Sequence, residues 1–92
     1  MAKANVLINN NKVKVTEWSF EIGDSTGHHI HEYNYIVVPM IDGKLKILDK
    51  NKNEKISKIS KGGAYYRDKG AEHNVFNNNH FPYSFIEIEL IK

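Results

Sequence analysis

Alternation with a period of two runs through this chain from end to end, and no window carries an apolar stripe at helical spacing. KVKVTEWSFEI (12–22), KLKIL (44–48) and YSFIEIELIK (83–92) show it best. Together with NVLI (5–8), residues 28–31 and 33–41, KISKIS (55–60), a short run in GGAYYRDKG and EHNVFN (72–77), they make about nine or ten short strands. Strands at this spacing, joined mostly by tight turns, predict an all-β sandwich or barrel. The apolar parity changes between Val15 and Trp18, which predicts a bulge near Thr16–Glu17. Asp42–Gly43 is the preferred pair for a hairpin turn. In the last run, Ile86, Ile88 and Leu90 oppose Glu87 and Glu89, as in a half-buried strand with a charged face.

With 92 residues the chain is expected to form one domain, residues 1–92, with a thin core. A metal or a partner subunit would add stability to it. The thin core and the apolar N-terminal strand favour a homodimer. A net charge of +2, with lysines scattered among acids, argues against a nucleic-acid partner. No stretch approaches the length of a membrane span. The absence of cysteine excludes a disulfide framework and a thiolate nucleophile, and makes a reducing cytoplasm the expected compartment.

One run, GDSTGHHIHEYNY (23–35), concentrates the chemistry. Residues two apart on a strand share a face, so His29 and His31 can converge on one ion, with Ile30 opposite. Tyr33 and Tyr35 share that parity if the strand stays regular, and His28 points away. A third ligand must come from elsewhere, and His73 in GAEHNVFN is the candidate, aimed inward after a tight turn at Gly70. His80 lies in a polar loop beside Pro82 and is expected to face solvent.

These spacings resemble the two motifs of the cupin superfamily. Gly23 is followed by five residues and then His29-Ile30-His31, and Gly43 closes the first motif. Gly62 is followed by five residues, then Asp68-Lys69-Gly70, two residues, His73, three residues and Asn77. The stretches EYNYIVVPMIDG, YYRDKGAEHNVFN and FIEIEL further resemble small cupins of β-alanine degradation. Two positions depart from the pattern. Asp68 stands for the proline of the second motif. The glutamate of the first motif is missing, its place falling at Tyr35 or Ile36, with Glu32 the nearest carboxylate.

The resemblance implies a double-stranded β-helix (jelly-roll) barrel holding one divalent transition metal on His29, His31 and His73. Nitrogen ligation suits Fe, Zn, Ni, Mn or Cu without choosing among them. Three histidines with open positions describe a catalytic rather than a closed structural site. The implied activity is that of a metal-dependent enzyme on a small organic acid, a non-haem dioxygenase foremost; the other reading is a non-catalytic module that binds a metal or a small-molecule ligand. Tyr35 is the candidate catalytic group, as ligand, hydrogen-bond donor or proton donor, or else fills the barrel mouth. Trp18, Tyr33, Arg67 and Phe76 are the candidate pocket residues, Arg67 either clamping a ligand carboxylate or pairing with Glu72 or Glu32.

Overall fold

The computed structural model describes residues 1–92 as nine strands and no helix. They are β1 (Lys3–Asn9), β2 (Val13–Phe20), β3 (His29–Ile30), β4 (Asn34–Pro39), β5 (Gly43–Asp49), β6 (Glu54–Ile59), β7 (Tyr65–Arg67), β8 (Glu72–Asn77) and β9 (Tyr83–Leu90). Two antiparallel sheets face one another, a five-stranded one in the order β1-β2-β9-β4-β7 and a four-stranded one in the order β3-β8-β5-β6. This is the jelly-roll arrangement that the alternation and the motif spacing predict. Being all strand, the chain has no helix long and apolar enough to cross a membrane.

Apart from β1, whose seven residues are all exposed, the strands turn alternate residues toward the space enclosed by the sheets, and the enclosed set makes the core. Phe20, Tyr35, Val37, Tyr83 and Phe85 come from the larger sheet; Leu45, Ile59 and Val75 come from the smaller one. Phe20 and Phe85 pack with ring centroids 5.5 Å apart. Only 13 residues are buried, so the core is as thin as the length implies.

Three local expectations need correction. The bulge lies in β1, between Val6 and Ile8, whereas β2 pairs with β9 in unbroken register from Val13↔Leu90 to Phe20↔Tyr83. The parity change in β2 arises because both of its faces carry apolar residues: Val13 and Val15 point outward, Trp18 and Phe20 inward. Second, Asp42–Gly43 does not turn a hairpin, since β4 and β5 belong to different sheets. Gly43 answers to packing instead, because a Cβ there would lie 2.8 Å from Asn79 Oδ1 and 3.0 Å from a Tyr83 ring carbon.

Third, β9 is turned over relative to the reading of its isoleucines as the buried side. Tyr83, Phe85 and Glu87 are its buried residues, and Ile86, Ile88 and Leu90 lie on the outer face. A one-residue change of phase exchanges the two faces of a strand, so this inversion puts Glu87 and Glu89 inside the barrel.

Candidate metal centre

The β3–β8 pairing sets His29 directly opposite His73. Cross-strand partners stand about 5 Å apart at Cβ, so two imidazoles can meet at their tips. His31 follows β3 on the same side. Its N–H donates to the Ala71 carbonyl at 2.9 Å, and its own carbonyl accepts from Gly70 N–H at 2.8 Å. Gly70 sits at φ +96°, a conformation that a side chain would strain, so the turn that carries His73 back beside His31 needs this glycine.

The three rings converge through one nitrogen each. His29 Nε2 is 2.9 Å from His31 Nε2, which is 3.1 Å from His73 Nε2. All three ligand atoms lie within 4.8 Å of one another. His29 Nδ1 is 2.9 Å from the Gly27 carbonyl, which can only accept, so the proton of a neutral His29 sits on Nδ1 and its Nε2 presents a lone pair. His31 Nδ1 faces Glu87 Oε1 at 3.9 Å.

This donor set fits an electrophile. A ring nitrogen carries either one N–H or one lone pair, so His31 Nε2 cannot satisfy both neighbours by ordinary hydrogen bonds. A cation accepting three lone pairs resolves the conflict. Metal-binding histidines commonly anchor the second nitrogen on a carbonyl or carboxylate, as Gly27 and Glu87 are disposed to do here. For bonds of about 2.1 Å, right-angled nitrogen pairs would stand ~3.0 Å apart and tetrahedral ones ~3.4 Å. The two short contacts sit at the right-angle end of that range.

Electrostatics keep His31 and His73 neutral. Burial, reinforced by the neighbouring imidazoles, lowers His31 to about 3. Burial likewise lowers His73 to about 4, with His29 and Arg67 adding to the effect. Both therefore offer unprotonated nitrogen over the whole physiological range. Burial raises Glu87 to about 7, and Glu89 pushes in the same direction. The indole N–H of Trp18, on the neighbouring strand, is buried without a hydrogen-bond partner.

The histidines open onto a cavity of about 420 Å³ between the sheets. Leu45, Val75 and Phe85 give it apolar walls, and Arg67, Lys55 and Glu89 bring charge to it. Tyr35 lies 3% exposed with its ring stacked on His31, centroids 3.8 Å apart and planes 16° from parallel. Burial pushes its phenol well above the ordinary tyrosine range, so it stays protonated.

Of the four residues read from sequence as pocket-lining, Trp18 and Arg67 line this cavity, and Tyr33 and Phe76 do not. The chain leaves β3 at Ile30 and changes sheets before Asn34, which breaks the parity that would have carried Tyr33 inward. Phe76 alternates with the buried Val75 and Asn77, so it points outward, beneath the Lys46 ammonium. Arg67 is not paired with Glu72, whose carboxylate meets His28 at 2.7 Å; its guanidinium lies over the Tyr65 ring and donates to the Tyr66 carbonyl at 3.1 Å. Glu32 borders the cavity, but its carboxylate makes no hydrogen bond or ion pair with the three histidines, and His80 is exposed. Glu87 is the residue that sequence reasoning missed. Its signal was present: Tyr83 and Phe85 share its parity, and two aromatics are better markers of the buried side than the isoleucines between them.

No protein-family model matches the chain. It is 40% identical over 85 residues, 92% of its length and 88% of the relative's, to the β-alanine degradation protein BauB of Pseudomonas aeruginosa. A crystal structure of a cupin domain from Bordetella pertussis superposes with a TM-score of 0.93 at 42% identity, covering 97% of this chain and 92% of that one. An RmlC-like cupin of double-stranded β-helix fold from Methanocaldococcus jannaschii follows at TM-score 0.79 and 14% identity, over 98% and 80% of the two chains. The polyketide cyclase RemF from Streptomyces resistomycificus gives 0.74 at 17% identity, over 99% and 68%. At these last two identities the likeness is one of fold alone.

Proposed function

Because the chain belongs to the cupins, as a small member related to BauB, we propose that it binds one divalent transition metal and acts through it on a small organic acid. The observation that carries this reading is the meeting of three imidazole Nε2 atoms within 4.8 Å at the wall of a cavity. His29, His31 and His73 would hold the ion. When bound, such an ion supplies Lewis acidity or, if redox-active, access to dioxygen chemistry. The incomplete protein ligand set favours catalysis over a structural role, and a non-haem dioxygenase is the leading form.

The protein's own residues take distinct parts. Glu87 faces His31 Nδ1 at 3.9 Å and would orient that ring on closing to hydrogen-bond distance. Tyr35 supports the flat side of the same ring and keeps its phenolic proton. Arg67, at the cavity and carrying a fixed planar charge, suits a ligand carboxylate. A cavity of about 420 Å³ admits a molecule of a few heavy atoms to drug size, which agrees with a small acid. The apolar walls exclude water and strengthen the interactions of any charge placed among them.

Absence of the first motif's glutamate favours a second reading, a binding module without turnover. The two separate by experiment. Untagged protein is measured for metal by plasma mass spectrometry beside His73→Ala, then supplied with Fe(II) and a panel of small carboxylates while oxygen and products are followed. Near-stoichiometric metal lost in the variant supports the site, and product over many equivalents supports the enzyme. Tight ligand binding without product supports the module. We also read the chain as a homodimer working in the cytoplasm, the thin core being the reason for the first part.

A further inference from the structure

We propose that Trp18 is a positioning residue of the metal centre, its indole N–H and His31 Nδ1–H holding the two oxygens of Glu87 between them once the three histidines carry an ion. The claim rests on the metal reading above and extends the support of the site by one residue.

Glu87 is a buried carboxyl with nothing to anchor it. It is 9% exposed, and the ring nitrogen it confronts, His31 Nδ1, stands 3.9 Å away, beyond hydrogen-bond distance. Trp18 is its counterpart, an indole N–H shielded from solvent and without an acceptor. Strand register brings the two together. Thr16 lies directly opposite Glu87 and Trp18 directly opposite Phe85, so Trp18 is the diagonal neighbour of Glu87 on the inward face of one sheet. Diagonal neighbours stand within reach of aromatic and long side chains. Both residues also line the cavity, which leaves the carboxylate room to turn without repacking the core.

A buried donor and a buried acceptor held apart each cost stability, and one pairing answers both. A carboxylate has two oxygens and accepts two N–H groups at once. An ion on His31 Nε2 leaves the proton of that ring on Nδ1, which makes this nitrogen an obligate donor and draws the carboxylate toward it. With one oxygen engaged there, the other is free for Trp18, and the indole then fixes the way the carboxylate faces. Phenylalanine would supply the apolar contact at this position equally well. Only the N–H sets tryptophan apart.

Trp18 is the only tryptophan, so its indole N–H gives a single signal in proton–nitrogen correlation spectra, with diamagnetic Zn(II) as the probe. Spectra are taken at pH 8, above the value of about 7 at which Glu87 titrates, so that a shift does not report ionisation. At saturating Zn(II) the indole proton of wild type is expected to move downfield, and that of Glu87→Ala to stay in place. By dye competition, Trp18→Phe should bind Zn(II) about 10-fold more weakly than wild type. Trp18→Phe combined with Glu87→Ala should bind no more weakly than Glu87→Ala alone, because the two side chains act as one unit. A signal that stays put in Zn(II)-loaded wild type, or moves equally in Glu87→Ala, overturns the role of Trp18 and leaves the metal site standing. Losses that add in the double variant do the same. A wild type that takes up no Zn(II) overturns the metal reading and this inference together. Should Trp18→Phe fail to fold, the spectra of wild type and Glu87→Ala decide.

Discussion

His31 and Glu87 confront one another inside the barrel, Nδ1 to carboxylate oxygen at 3.9 Å, with Nε2 of the same imidazole turned to the other two histidines. The carboxylate thus stands behind one of the three candidate ligands. A group in that position fixes the tautomer and raises the donor strength of the metal-facing nitrogen.

Glu87→Ala is accordingly expected to weaken metal binding by about 10- to 100-fold, and Glu87→Gln by less, since its amide oxygen can take the carboxylate oxygen's place facing Nδ1. Competition with a metal-indicator dye at fixed pH measures both. The Gln variant carries a second signature. Glu87 titrates at about 7 in the folded protein against 4.5 as a free group. A raised carboxyl contributes stability below its unfolded value that is lost as pH rises to the folded one. Metal-free Glu87→Gln should therefore gain on wild type most clearly above pH 7, by on the order of 2–3 kcal/mol in denaturant titrations. An unchanged metal affinity would remove Glu87 from the site.

The metal-free protein should also lose stability on mild acidification. His31 and His73, lowered to about 3 and 4, bind no proton in the folded chain near pH 5, whereas their unfolded counterparts at 6.5 do. A lowered histidine contributes stability that is present above 6.5 and lost as pH falls toward its folded value. Glu87 works in the opposite sense between 4.5 and 7. From pH 6.5 down to 4.5 the two histidines outweigh the one carboxyl by about one proton, a slope of ~1.4 kcal/mol per pH unit. Denaturation midpoints at half-unit steps of pH measure it. A flat profile would mean that the histidines are less buried than the fold makes them.

Much of this centre was legible in the sequence because its parts are local or are framed by glycines. His29 and His31 share a face by strand parity alone, and Gly70 marks the turn that returns His73 to them. What escaped reading depended on which side of a strand the barrel occupies. In β9 the pattern Tyr-x-Phe-x-Glu-x-Glu competes with an equally regular Ile-x-Ile-x-Leu, and alternation cannot decide between two faces that are both apolar in part. The same ambiguity in β2 mimicked a bulge. Tyr33 and Phe76 failed for a related reason, parity having been extended across a change of sheet and to the wrong side of β8. An apolar outer face makes such strands unreadable one at a time.

Tyr35 offers a cleaner separation of roles. Tyr35→Phe keeps the ring stacked on His31 and removes only the phenol, so metal content is expected to stay at the wild-type level. Any loss of turnover or ligand affinity then belongs to the hydroxyl. Addition of Fe(III) to wild type should give no visible tyrosinate charge-transfer band, because burial holds the phenol protonated. Tyr35→Ala removes the ring from the core and is expected to cost about 3–5 kcal/mol of stability. An intense tyrosinate band would instead make Tyr35 the fourth ligand, in the place of the missing glutamate.

Metal removal tests whether the three histidines act as one unit in the folded state. Bound metal stabilises only the chain that presents all three nitrogens together, and with free metal at a hundred times the dissociation constant the gain is about 2.7 kcal/mol. In a domain of this size that corresponds to a shift of ~10–20 °C in melting temperature. Chelated and reloaded wild type should differ by that amount. His73→Ala should melt at one temperature with or without metal, because only the neighbouring His29 and His31 remain and the cross-strand partner is gone. If the variant still shifts with metal, the ion is held by the His29–His31 pair alone, and His73 is a neighbour of the site.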